Sequence, residues 1–194
     1  VRFAIVISLA ALGLVGTARG DALTPCEVGA HGGYLVPVSY AEAHRADILA
    51  TLPDEPTVDG FWQVTEQAAI VSDRRLRETL EDAIKYPLQL FPDLQDLPDT
   101  TQPDSLGYQR NEMKQIVENY GAYQRQYVGL VIDGERYVLL NYSIGVKADP
   151  ATGFIFIHRV FEPGKMHFLH ARLNWDENTV SNVSMYGPWQ EAPP

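Results

Sequence analysis

Apolar side chains recur at helical spacing between Thr65 and Tyr120, and at every second position from Gln124 to Tyr186. In the first stretch Leu76, Leu80, Ala83 and Ile84 fall at i, i+4, i+7 and i+8, a single stripe on one helix. Thr65 is a suitable N-cap, Glu66 sits at the positive helix end, and Pro87 stops the run near Tyr86. Arg74–Glu78 and Arg77–Glu81 pair opposite charges four apart on the wet side. A second helix is predicted from Asp104 or Ser105 to Tyr120. Met113, Ile116, Val117 and Tyr120 share its face, and Gly121 supplies the stop.

The two-residue period that follows predicts strands at 126–132 and 136–142, joined by a tight Asp133-Gly134 turn. Further strands are predicted at 154–161, 166–175 and 180–186. On the fourth, Leu169, Ala171, Leu173 and Trp175 take one face, and Phe168, His170, Arg172 and Asn174 a wetter one. Short turns between successive strands favour an antiparallel meander, and two amphipathic helices can cover one face of it. The expected fold is α+β: two amphipathic helices packed on an antiparallel meander of about five strands.

Upstream the pattern is weaker. Residues 21–60 read as a loosely structured N-terminal part, with an edge strand at Tyr34–Tyr40 that tolerates Pro37 and a short helical stretch at Ala41–Leu49. Residues 87–104 hold four prolines and four aspartates and no period, a long surface loop.

Residues 1–20 carry a different signature. Arg2 is followed by an apolar run from Phe3 to Val15, then by small residues Ala18 and Gly20 before Asp21. That order is a secretory signal peptide, and the run is too short to span a membrane. Val1 at the initiator position reads as an alternative bacterial start codon. The expectation is cleavage after Gly20 and one domain, 21–194, that is periplasmic or secreted, with no membrane insertion afterwards. Removing Arg2 and Arg19 takes the formal charge from −10 to −12. A surface that acidic repels nucleic acid phosphates and anionic lipid. Solubility is the plain reading of the charge, and steering of a basic protein partner the specific one. Cys26 is the only cysteine, so no internal disulfide forms. Pro25 before it is wrong for a lipid-attachment box.

Candidate chemistry is sparse. His167 and His170 read as H-x-x-H, with His158 on the preceding predicted strand, but a three-residue spacing on a strand points the two side chains to opposite faces. A zinc site needs three or four ligands, so no metal and no cofactor is expected; His31 and His44 have no ligand spacing. No G-x-S-x-G motif is present, Ser143, Ser181 and Ser184 read as strand residues, and Cys26 has no neighbouring base.

Phe61-Trp62-Gln63-Val64-Thr65-Glu66 opens the first helix, and Arg125-Gln126-Tyr127-Val128-Gly129-Leu130 precedes a turn and a strand reaching Asn141. Together they resemble small exported bacterial proteins of uncharacterised function. Those proteins have a Trp-x-Pro-Thr-Glu helix start and an Arg-Gln-Tyr-x-Gly-Ile strand. The resemblance covers 61–143, with Val64 in place of Pro, and it implies export and a helix-then-sheet order but no activity. Trp62, Arg125, Tyr127, Asn141 and Tyr142 gather near this helix start and hairpin, and are the candidate binding residues. An arginine among aromatics is typical of a binding hot spot. The same set equally suits a structural bracket, with Arg125 pairing Glu66 or a backbone carbonyl. The reading that results is a non-enzymatic exported binding protein, of inhibitor, immunity or envelope accessory type. The alternatives are a periplasmic hydrolase using histidines and carboxylates, and a small-ligand carrier.

Overall fold

The computed structural model describes residues 22–52, 56–90, 105–144, 153 and 167–186. The predicted signal peptide, the predicted strand at 154–161 and most of the 87–104 loop lie outside these residues.

The described chain is α+β, with a mostly antiparallel sheet. Its strands are β1 (Thr24–Val28), β2 (His31–Leu35), β3 (Val58–Trp62), β4 (Gln124–Ile132), β5 (Glu135–Ile144), β6 (His167–Asn174) and β7 (Thr179–Tyr186). Its helices are α1 (Val38–Ala43), α2 (Arg45–Leu49), α3 (Glu66–Lys85), α4 (Pro87–Leu90) and α5 (Leu106–Glu118). The predicted meander is the run β4-β5-β6-β7, each strand antiparallel to the next. Asp133 and Gly134 both take positive φ, 51° and 79°, as a two-residue turn between twisted strands requires. In β7 a register shift opposite the interval from His170 to Arg172 coincides with Asn182 at φ 50°, which marks a bulge.

The sheet has seven strands rather than about five, because the N-terminal part is ordered into it. β1 and β2 form an antiparallel hairpin, and β2 lies parallel to the first half of β4 through Tyr34↔Gln126 and Leu35↔Tyr127. β3 lies antiparallel to the second half of β4. Alternation was hard to see here because His31-Gly32-Gly33 offers no apolar side chain on either face. The strand expected at Tyr34–Tyr40 ends at Leu35 instead. Pro37, with φ −61° and ψ 148°, becomes the N-cap of α1, a role its fixed φ suits as well as it suits an edge strand.

α3 and α5 begin where the caps predict. Thr65 Oγ1 accepts from the Ala68 amide at 3.2 Å, and Ser105 Oγ accepts from the Tyr108 amide at 3.2 Å. Leu76, Leu80, Met113 and Ile116 are buried against Leu169 and Leu173 on one sheet face, with Ile84 and Val117 packed at the margin. Gly121 lies within a short 3-10 turn, Tyr120–Ala122, rather than at a helix end; a Cβ there would come within 2.9 Å of the His31 ring.

The larger correction concerns the other face. It was expected to be wet, yet Phe168, His170, Arg172 and Asn174 are all buried. The short helices α1 and α2 form a second layer there. Tyr40, Ala41, Ile48 and Leu52 pack with Val128, Leu130, Ile132 and Leu139. Six- and five-residue helices are too short to display a full apolar stripe, which hid this cover from a reading of periodicity.

Gly129 joins the segments Phe61–Glu66 and Arg125–Leu130. It pairs with Trp62 across β3 and β4. A Cβ at Gly129 would lie 2.1 Å from the Trp62 carbonyl oxygen and 2.9 Å from the indole ring. The contact is with backbone, which cannot swing away. Gly129→Ala is therefore expected to cost about 3 kcal/mol or more by forcing β3 off β4. Urea melts of the variant check this, and a loss under about 0.5 kcal/mol would mean that β3 does not sit as described.

Candidate functional site

The five candidate residues separate into three places. Arg125, Tyr127 and Tyr142 point from β4 and β5 toward the α3–α5 layer, as their shared parity and the Arg125↔Tyr142 register require. Asn141, one position off, faces the α1–α2 side. Trp62 lies further along β4, half-buried across Gly129 at the margin of the helix-side core.

On the helix side, Arg125 is 1% exposed and all three of its donor groups are used. Nε donates to Asp73 Oδ1 at 3.0 Å, Nη1 to the Tyr123 carbonyl at 2.8 Å and Nη2 to the Tyr120 carbonyl at 2.6 Å. Asp73 Oδ1 also accepts from Tyr142 Oη at 2.7 Å and Tyr120 Oη at 3.2 Å, and Tyr127 and Tyr142 hydroxyls meet at 3.2 Å. The guanidinium stacks 5.1 Å from the Tyr120 ring centroid and 5.3 Å from that of Tyr142. Burial pushes the Tyr142 and Tyr120 hydroxyls far above the usual phenol range, so both stay protonated donors. This is the structural bracket, and a partner approaching the folded surface does not reach it. The carbonyl partners of Arg125 were anticipated but its ion pair was not. Glu66 instead accepts from the Glu27 amide at 3.0 Å and ties β1 to the start of α3. The sequence did hold a signal for Asp73: it lies on the stripe of Ala69, Leu76 and Leu80, a carboxylate on a core-facing row.

On the α1–α2 side a polar row crosses the sheet. Asn141 Nδ2 donates to Gln126 Oε1 at 2.9 Å, and Gln126 Nε2 donates to the Gly153 carbonyl at 2.7 Å. In register beside Asn141 come His170 on β6 and Ser184 on β7. His170 is 1% exposed and neither ring nitrogen makes a hydrogen bond. Burial pushes its imidazole down to about 4, opposed in part by the Thr51 backbone above it. His158 lies outside the described residues, as does the side chain of His167. The described residues contain no group of three or more His, Cys, Asp or Glu arranged to hold a metal.

The half-buried surface belongs to Trp62. Its indole N–H donates to the Tyr137 carbonyl at 2.9 Å, and its ring lies 6.1 Å from that of Trp175. The exposed Arg136 guanidinium stands 5.7 Å over Trp62 and is held by Asp176 at 2.5 Å. Around these aromatics lie Asp59, Asp133, Glu135, Asp176 and Glu177, all exposed. Asp59 accepts from the Gly134 amide, and Glu135 accepts from Asn174 and Tyr137, which draws both turns to one end of the sheet.

Comparison with known proteins finds no matching family model, no matching curated protein and no matching solved structure. No described helix is long and apolar enough to cross a membrane.

The buried imidazole has a consequence for acid stability. Its pKa is lower in the folded state, about 4, than the ordinary 6.5. The unfolded chain therefore takes up the proton first, and stability falls as pH drops from 6.5 toward 4. Arg172, two positions along the same strand face, adds no attraction for a second cation. Between about pH 7 and pH 4, wild type should lose about 3 kcal/mol more than His170→Leu. Urea melts of both proteins at the two pH values measure this, and equal losses would contradict a buried, neutral His170.

Proposed function

We propose that the chain is an exported, non-catalytic protein that binds a basic protein partner through the Trp62–Trp175–Arg136 end of its sheet. The observation that carries the reading is the pair of half-buried tryptophans beside an exposed arginine, at an end of the sheet rimmed by five carboxylates. Aromatic residues and arginine are the usual anchors of protein interfaces, and a rim of one sign steers a partner of the other. Five carboxylates stand against two arginines at this end, Arg136 paired with Asp176 and Arg75 on the Asn178 carbonyl, which leaves its field negative. Trp faces also accept lysine and arginine side chains through cation–π contact. The N-terminal charge–apolar–small pattern and the resemblance to exported bacterial proteins support a periplasmic or secreted location. Of the five candidate residues, Trp62 is the one that this reading keeps as a contact.

Arg136 and Trp175 test the reading better than Trp62, which also holds β3 against β4. Wild type, Arg136→Ala and Trp175→Ala would each be used to capture proteins from envelope extract, with circular dichroism to check folding. A basic protein held by wild type, released by added salt and lost in both folded variants is the expected outcome. Capture unchanged in both variants would sink the proposed surface.

A further inference from the structure

The two borders of the sheet are built differently. β1 closes one of them: Pro25 has no N–H to offer, and the Glu27 N–H donates to Glu66 Oε1 at 3.0 Å. Such devices keep an edge strand from pairing with another chain. β7 forms the other border, and no described strand lies beyond it. Its eight residues, Thr-Val-Ser-Asn-Val-Ser-Met-Tyr, include no charge and no proline. Its one protective feature is the bulge at Asn182–Val183, which bends the strand and leaves a straight stretch on either side.

The helix-side core also stops short at this border. Leu169, Ala171 and Leu173 on β6 are fully buried, whereas Val180, Val183 and Met185 on β7 are half-buried at its margin. A strand added outside β7 would pair its backbone and cover this row together. Charge narrows the choice of strand. The chain carries a net charge of −10, so two copies repel over most of their surfaces, and an uncharged edge is where they can meet. We propose that two copies pair β7 against β7, antiparallel, about a two-fold axis through Ser184 and perpendicular to the sheet. The helix layers then share one face, and Val183 of one copy stands opposite Met185 of the other, as an isologous contact requires. Asp176 and Glu177 fall roughly 25 Å from the axis, well beyond the screening length of about 8 Å. On α3 beside this border, Arg75 and Glu78 pair with each other at 3.4 Å and add no net charge. This contact is separate from the surface proposed for a basic partner and stands or falls without it.

The test is sedimentation velocity of the purified protein from about 1 to about 500 µM, with amide hydrogen exchange read at both ends of that range. The expected result is a reversible monomer–dimer equilibrium, with the amides of Val183–Tyr186 exchanging several-fold more slowly at the high concentration. Ser184→Lys and Ser184→Glu each set like charges face to face at the axis and should weaken the dimer by about tenfold or more. Mixed in equal amounts, the two variants should associate again, because each charge then faces its opposite. Arg136→Ala, changed at the other surface, should dimerise as wild type does. A wild type that stays monomeric throughout, or exchange at Val183–Tyr186 that ignores concentration, would overturn the proposal without recourse to any variant. Dimerisation unaltered in both Ser184 variants, a mixture that associates no better than either alone, or loss of the dimer in Arg136→Ala would overturn it equally.

Discussion

Asp73 and Arg125 place opposite charges at the junction of the α3 helix and the sheet, where neither charge would be tolerated alone. Taking an ion out of water costs several kcal/mol, and here attraction, two carbonyls and two phenols offset the cost together. The geometry fixes several things at once. Arg125 holds the 3-10 turn of Tyr120–Ala122 through the Tyr120 and Tyr123 carbonyls, and so sets how α5 delivers the chain into β4. Asp73 sets the rotation and height of α3 over β4 and β5. A simple apolar interface would tolerate sliding of the helix layer; a directional network in which Arg125, Tyr120 and Tyr142 all converge on Asp73 Oδ1 does not.

The rest of the molecule depends on that registration. With α3 placed, Glu66 at its start reaches the Glu27 amide and anchors the β1–β2 hairpin. Thr65 caps the same helix, and the preceding residues run into β3, where Trp62 crosses Gly129. The segments Phe61–Glu66 and Arg125–Leu130 are thus largely a description of this assembly. Trp62 needs Gly129, Thr65 caps the helix, Arg125 needs the carboxylate on the helix, and Tyr127 meets Tyr142. These two segments serve the fold and leave function to the surfaces. That is why the proposed partner contacts lie at Trp62, Trp175 and Arg136, beyond the bracket.

The helix-then-meander order was legible in the sequence because α3, α5 and β4–β7 are long enough to show their periods. Caps at Thr65 and Ser105 and the Asp133-Gly134 turn were legible for the same local reasons. The β1–β2 hairpin was not, since Gly32 and Gly33 carry no side chain to alternate. The α1–α2 layer was not, since neither helix completes two turns. Its absence from the expectation made β6 appear half wet and His170 an ordinary strand residue. Among the candidate site residues, parity correctly grouped Arg125 with Tyr127. Proximity in sequence drew Asn141 into the same set, although one residue's offset sends it through the sheet to the other face.

The most direct test of this account is a double-mutant cycle on the bracket, read by urea denaturation of wild type, Asp73→Leu, Arg125→Met and the double variant. If the pair is buried and mutually required, each single substitution should cost about 3–5 kcal/mol, because it strands the other charge. The double variant, with both charges gone, should then lose less than the two single losses added together, by at least about 1 kcal/mol. Single losses within about 0.5 kcal/mol of wild type, or strict additivity, would contradict the claim that this ion pair registers the helix layer on the sheet.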